Sequence, residues 1–124
     1  MRVEQAISAK ILDVEGTLAR FGGDEALFRD MTSIVLEDAP RLAQELRVAV
    51  LAADPVAIQM KAHALKGLVL GCGGQRTALA AQKLEDAGRD HSLQASVAQL
   101  AELEAELQQF LEAIRCHSRS GLPS

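Results

Sequence analysis

Aromatic residues are almost absent from this sequence, which has three phenylalanines and neither tryptophan nor tyrosine. Because sheets usually depend on aromatic and β-branched side chains, this composition argues against a β-rich fold. The sequence also lacks an apolar run long enough to cross a bilayer, and its opening, MRVEQAISAK, lacks the apolar core of a signal peptide. What is present is a chain of 124 residues, 48% of them hydrophobic, which suits one compact helical domain.

Basic charge is not concentrated anywhere along the chain. The 13 basic and 17 acidic residues occur in mixed order and give a net charge of −4. Since a nucleic-acid-binding surface needs a basic patch that neutralises phosphates, we expect no nucleic-acid partner. The two cysteines, Cys72 and Cys116, are too few for a disulfide framework or a zinc site. The sequence therefore predicts a cytoplasmic protein with no membrane partner.

Apolar residues recur at three- and four-residue steps, which is the period of an α-helix. A long helix is predicted after the N-cap Asp24, and Asp54-Pro55 is the start signal of the next. Pro40 lies within the first of these helices and either kinks it or divides it. The apolar stripe keeps its phase on both sides of Pro40, which favours one kinked helix. The later helices are predicted over about 55–70, 77–87 and 92–115, with Gly88 closing the middle one.

These elements predict an all-α fold, an antiparallel up-down four-helix bundle joined by short turns. An additional N-terminal helical segment, which ends at Phe21 before two glycines, is expected to lie across one end of the bundle. The stripes that we expect to face the core include Leu27, Ile34 and Val97. The whole chain, 1–124, is predicted to be a single domain with its core at about 13–115, and the end of the chain, 116–124, to be a flexible tail.

The stretch MKAHALKGLVLGCGG, residues 60–74, contains residue types that a core-packing helix does not need. On a helical wheel with 100° per residue, one narrow arc holds the apolar side chains that face the core, namely Ile58, Ala62, Leu65 and Val69. His63 lies about 130° from the centre of that arc. Its imidazole is therefore predicted to point into solvent.

The residues one and two helical turns from His63 lie on the same face of this helix. Lys66 brings a positive charge that suits an anion such as a phosphoryl group. Gly67 costs about 1 kcal/mol relative to alanine in a helix interior, and clearance beside the imidazole is one gain that offsets this cost. The simpler alternative is a solvated histidine and a glycine that permits close helix packing. In the functional interpretation, Gln59, Met60 and Leu70 are expected to complete a surface around His63 for a partner.

This stretch resembles the signature of the histidine-containing phosphotransfer (HPt) domains of phosphorelays. In that signature an Ala-His pair is followed by Leu, Lys and Gly, with a further Gly ten residues after the histidine. The matching residues here are Ala62, His63, Leu65, Lys66, Gly67 and Gly73. The family's later Leu-Glu pair matches Leu84-Glu85, and its upstream Gly-Asp opening matches Gly23-Asp24. The resemblance covers about residues 13–115, although Leu68 and Val69 stand where the family commonly has small residues.

The resemblance implies a phosphocarrier and not an enzyme. His63 accepts a phosphoryl group from a receiver-domain phospho-aspartate and passes it to another receiver aspartate. Lys66 stabilises the phosphate charge, and Gly67 gives clearance. The implied partners are response-regulator receiver domains, a hybrid histidine kinase, or both. We expect no cofactor or metal on this chain, which has no ATP-binding motif, and expect Mg²⁺ on the partner receiver.

Two other functions stay open on the sequence. A docking or inhibitor protein on the same bundle fold binds a receiver or a histidine kinase without phosphorylation. An unrelated helical bundle self-associates through its apolar surface. Neither of them needs His63, Lys66 and Gly67 together, so substitution of His63 leaves binding unchanged in both.

Overall fold

The computed structural model describes residues 10–120, and this part of the chain has five α-helices and no strand. The helices are α1 (Val14–Arg20), α2 (Glu25–Leu51), α3 (Pro55–Leu70), α4 (Gln75–Arg89) and α5 (Ser96–Ser120). The all-α prediction is confirmed, and α3 has the limits that its start and stop signals predicted.

Aspartate side chains begin the first three helices. Asp13 accepts a hydrogen bond from the backbone N–H of Gly16 at 3.0 Å, and Asp24 accepts one from Leu27 at 3.0 Å. Asp54 does the same at the start of α3. Each such cap stabilises a helix by about 1 kcal/mol because it satisfies a backbone donor that has no partner within the helix. The α2 helix continues unbroken through Pro40, so the single-helix interpretation is confirmed.

Ion pairs between helices follow the antiparallel arrangement of the bundle. Along α4 and α5, Arg76 pairs with Glu106 and Lys83 pairs with Glu102, so one helix runs against the other. Such half-exposed pairs contribute about 1 kcal/mol or less each, and burial of aliphatic side chains supplies most of the stability. The largest fully buried hydrophobic side chains are Phe110, Leu46, Ile58, Leu65, Leu84, Leu103, Ile114, Val35 and Val69.

The short helix α1 packs against the turn between α3 and α4. The backbone N–H of Asp13 donates to the carbonyl of Gly73 at 2.9 Å, and the buried hydroxyl of Thr17 donates to the carbonyl of Asp13 at 2.6 Å. Gly73 has a φ of 82°, and a Cβ there would lie 2.5 Å from Oγ1 of Thr17. Glycine at this position therefore allows both the left-handed turn and the contact with α1.

Three predicted boundaries differ from those in the structure. The segment before Val14 is not helical over residues 10–13, where its backbone instead bonds to the α3–α4 turn and the start of α4; residues 1–9 lie outside the described part. The α4 helix ends at Arg89, one residue beyond Gly88, which is buried in the last turn. The last helix begins at Ser96 and not near residue 92.

The last helix is also longer than the sequence predicted. The α5 helix continues to Ser120, beyond the predicted end near Arg115, and residues 121–124 lie outside the described part. The flexibility of the end of the chain, 116–124, stays a prediction. The imidazole of His117 packs edge-on against the ring of Phe28 in α2, with centroids 5.6 Å apart. This contact with the bundle explains why the helix does not end near Arg115.

Some residues assigned to the core lie at the surface. Leu27, Ile34 and Val97 are 41%, 45% and 65% exposed. Each helix of the bundle buries only a narrow arc, and α2 fills part of its arc with the small residues Ala39 and Ala49. No helix within residues 10–120 is long and apolar enough to span a membrane.

Candidate functional site

His63 projects from the middle of α3, and its side chain is 69% exposed. The four residues predicted to face the core from the same helix, Ile58, Ala62, Leu65 and Val69, are all buried. The wheel arithmetic therefore placed the imidazole correctly, because a straight helix that buries one arc exposes the opposite one.

The imidazole contacts a carboxylate on the neighbouring helix. Nδ1 of His63 lies 3.1 Å from Oε2 of Glu85, a residue of α4 whose side chain is only 13% exposed. An ionised carboxylate can only accept hydrogen bonds, so this contact favours the imidazole form with the proton on Nδ1. Nε2 is then the nitrogen that carries the free lone pair.

Lys66 holds the other oxygen of the same carboxylate. Its Nζ lies 2.8 Å from Oε1 of Glu85 and donates a hydrogen bond of 2.8 Å to Gln82. Gln82 in turn donates to Asp86 at 2.7 Å, so a chain of polar contacts runs along α4 and ends at the imidazole. Lys66 is one turn from His63, as predicted, but its charge faces Glu85 in this structure.

These partners keep Glu85 ionised. Partial burial opposes ionisation, but the ion pair with Lys66 and then the hydrogen bond with His63 outweigh it and hold the pKa of the Glu85 carboxyl below its ordinary value. The carboxylate is therefore negatively charged near neutral pH. Lys66 neutralises this charge directly beside the imidazole.

Gly67 lies beside an open region of the surface. A Cβ built at this position would meet no atom within 4 Å other than those of its own helix backbone and chain neighbours. The alternative that Gly67 permits close packing against another helix is therefore wrong. The space beside it is open toward solvent on the helix that carries His63.

The three remaining predicted site residues do not lie together. Met60 and Leu70 are 63% and 46% exposed, and the carbonyl of Leu70 accepts a hydrogen bond of 3.4 Å from Arg20 of α1. Gln59 is half-buried, and its backbone lies against Gly88 of α4. Met60 and Leu70 are thus available to a partner, whereas Gln59 belongs to the contact between α3 and α4.

Sequence reasoning missed the role of Glu85 and Gln82. The Leu84-Glu85 pair matched the family pattern, but no feature of the sequence showed that the carboxylate contacts His63, 22 residues away. This contact could have been predicted by matching residues that lie at the same height on two antiparallel helices joined by a short turn. Residues 10–120 contain no group of three or more acidic, histidine or cysteine side chains arranged to hold a metal ion.

Comparisons with known proteins show the family and the fold of this chain. The family model described as "Hpt domain" matches residues 30–113. The histidine-containing phosphotransfer protein B from Pseudomonas aeruginosa PAO1 has a similar structure, with a TM-score of 0.82 and 24% identity, over 94% of this chain and 100% of that one. The Hpt domain of a sensor hybrid histidine kinase from Shewanella gives a TM-score of 0.79 and 21% identity, over 92% of this chain and 97% of that one. No curated protein matches the chain in a sequence comparison.

Proposed function

The chain belongs to the Hpt domain family, and from this premise we propose that it carries phosphoryl groups on His63 between receiver domains of a two-component phosphorelay. The observation that supports the proposal most directly is the contact of an exposed imidazole with the Glu85 carboxylate through Nδ1. This arrangement leaves Nε2 as the nucleophile on an open surface.

The proposed transfer is a displacement at phosphorus. The Nε2 lone pair of His63 forms the new N–P bond, and the P–O bond to the receiver aspartate breaks with its electron pair going to the leaving carboxylate. The proton on Nδ1 stays in place, so the ring becomes a phosphorylated imidazolium. Its positive charge then faces Glu85, which stabilises it. Transfer to a second receiver aspartate reverses these steps.

Lys66 keeps the local charge suitable for this reaction. An unpaired carboxylate next to the imidazole would repel the incoming phosphoryl group, and the ammonium group 2.8 Å from Glu85 cancels this repulsion. Phosphoryl transfer depends mainly on alignment and charge neutralisation. We expect the receiver to contribute the acidic pocket and its Mg²⁺, so the chain acts as a carrier.

The surface around His63 suits a protein partner. Met60 and Leu70 are exposed apolar residues on the helix that carries His63, and Gly67 leaves open space there. A receiver domain must bring its phospho-aspartate within bonding distance of Nε2, which requires a close approach over this part of α3. A bulky side chain at position 67 would obstruct that approach.

Phosphotransfer from a panel of radiolabelled phospho-receiver domains tests the proposal. We expect acid-labile label on the wild-type chain and none on His63→Gln, with the same helical circular dichroism for both proteins. The matched control is His91→Asn, which replaces an exposed histidine at a positive φ with a residue that tolerates this backbone conformation. Label on His63→Gln would overturn the assignment, and binding of a receiver without transfer would favour the docking function.

A further inference from the structure

The backbones of α3 and α4 lie in close contact where the buried Gly88 meets the N-terminal part of α3. A Cβ at Gly88 would lie 2.6 Å from the carbonyl oxygen of Pro55 and 2.6 Å from the backbone nitrogen of Gln59. Both are backbone atoms of a regular helix, which cannot rotate away as the end of a flexible side chain can. Glycine is therefore the residue that permits this helix spacing.

We propose that Gly88 is a positioning residue for the phosphoacceptor, because it sets the helix spacing at which Glu85 reaches His63. The expected effect of Gly88 on phosphotransfer rests on the proposed function, whereas its expected effect on the contact between His63 and Glu85 does not.

The two contacts are neighbours along the same helix pair. His63 follows Gln59 by one helical turn, and Glu85 precedes Gly88 by one turn on the antiparallel helix. One turn corresponds to about 5.4 Å along the helix axis. A change in the distance between α3 and α4 at Gly88 therefore changes their distance beside His63 by nearly the same amount.

Of the contacts that Glu85 makes with α3, the one with the imidazole of His63 is the more sensitive to the distance between the helices. The separation of 3.1 Å between Nδ1 and Oε2 is already near the upper end of the usual hydrogen-bond range. Lys66 contacts Glu85 and Gln82 at 2.8 Å each through a long, adaptable side chain. If α4 moved outward by a few tenths of an ångström, Lys66 could follow the carboxylate, but His63 would lose it.

Nitrogen-15 NMR of the His63 ring in the Gly88→Ala variant tests this inference without any partner protein. We expect the wild-type ring to carry its proton mainly on Nδ1, and the variant to shift toward the tautomer mixture of a solvent-exposed histidine. The matched control is Gly74→Ala at the other end of α4, where a Cβ would lie 2.8 Å from the ring of Phe110 and not against α3. This control should lose stability but keep the wild-type tautomer.

A second variant keeps the test valid if Gly88→Ala does not fold. Glu85→Asp shortens the side chain by one methylene, about 1.5 Å, and leaves the helix spacing unchanged. We expect it to show the same loss of the Nδ1-protonated form. A wild-type tautomer in Glu85→Asp, or in a folded Gly88→Ala, would overturn the inference, as would the same shift in Gly74→Ala.

Kinetics then separates this inference from the proposed function. If receivers phosphorylate the wild type, we expect Gly88→Ala to accept label about fivefold more slowly, and the double variant Gly88→Ala, Glu85→Gln to be no slower than Glu85→Gln alone. If the double variant instead showed the combined decrease in rate of the two single variants, Gly88 would act by a route other than Glu85. If no receiver phosphorylates the wild type while the tautomer shifts as expected, the proposed function fails and the positioning role stands.

Discussion

Nδ1 of His63 lies 3.1 Å from Oε2 of Glu85, although the two residues are 22 positions apart in the sequence and belong to different helices. Because the same carboxylate contacts Lys66 through its other oxygen, one side chain connects the proposed phosphoacceptor to the cation beside it. The proposed phosphoacceptor site is therefore shared between α3 and α4, and its geometry depends on how these two helices pack.

Replacing Glu85 with glutamine should slow phosphotransfer to His63 without unfolding the protein. The amide keeps the shape of the side chain but cannot stabilise the positive charge that the ring gains on phosphorylation. Because the imidazole is largely exposed, we expect a loss of about 1 kcal/mol of stabilisation, or a rate about fivefold lower. Single-turnover transfer from a phospho-receiver measures this rate. A wild-type rate in Glu85→Gln would show that the carboxylate has no part in the transfer.

The stability of the protein should depend on the ionisation of Glu85 at acidic pH. The pKa of this carboxyl is lowered from its ordinary value of 4.5 in the folded protein, through contacts with Lys66 and His63 that oppose the effect of burial. The unfolded chain therefore binds this proton first, and the stability that Glu85 provides is present above about pH 4.5 and lost as the pH falls through the lower folded value. Urea unfolding of the wild type and Glu85→Gln should give a difference in unfolding free energy that shrinks from pH 6 to pH 3. A difference that is constant over this range would contradict the prediction.

Substitutions at Gly67 should separate folding from transfer. A Cβ there meets open space, so Gly67→Ala and Gly67→Gln should both fold and raise the unfolding free energy by up to about 1 kcal/mol, because glycine weakens a helix interior. The longer glutamine side chain occupies the space that a receiver needs, and we expect transfer to His63 to fall at least tenfold. Thermal unfolding and phosphotransfer assays measure the two effects. Ala101→Gln, at an exposed position of α5, is the control and should transfer normally.

An acidic side chain in place of Met60 should weaken binding of a receiver without changing stability. Met60 is 63% exposed on the helix of His63, and Val97 is 65% exposed on α5, so the two positions have nearly equal solvent contact. Surface substitutions of this kind usually change the unfolding free energy by less than about 0.5 kcal/mol. Isothermal titration calorimetry with a cognate receiver should show a Kd at least tenfold higher for Met60→Glu and unchanged for Val97→Glu. Equal effects of the two substitutions would show that the receiver does not bind over Met60.

The local elements of this fold could be predicted from the sequence because their causes are local. Asp24 and Asp54 cap helices through hydrogen bonds to residues three positions on, and the exposure of His63 follows from the period of α3 alone. The boundary errors have a different origin. Gly88 was taken as a helix end from its propensity, and it does lie in the last turn of α4, but the sequence did not show that it packs against α3. The last helix was expected to end near Arg115, but α5 continues to Ser120, and His117 packs against Phe28 of α2.

The sequence by itself determined the helical fold, the orientation of His63 and the family to which the signature belongs. Only the tertiary structure decided which groups surround the imidazole. Glu85 contacts His63 because the register and spacing of α3 and α4 bring them together, and that spacing depends on the absence of a side chain at Gly88. Helix period and caps are set by neighbours within a few residues, whereas the partner of a side chain across a helix interface is set by packing of the whole bundle.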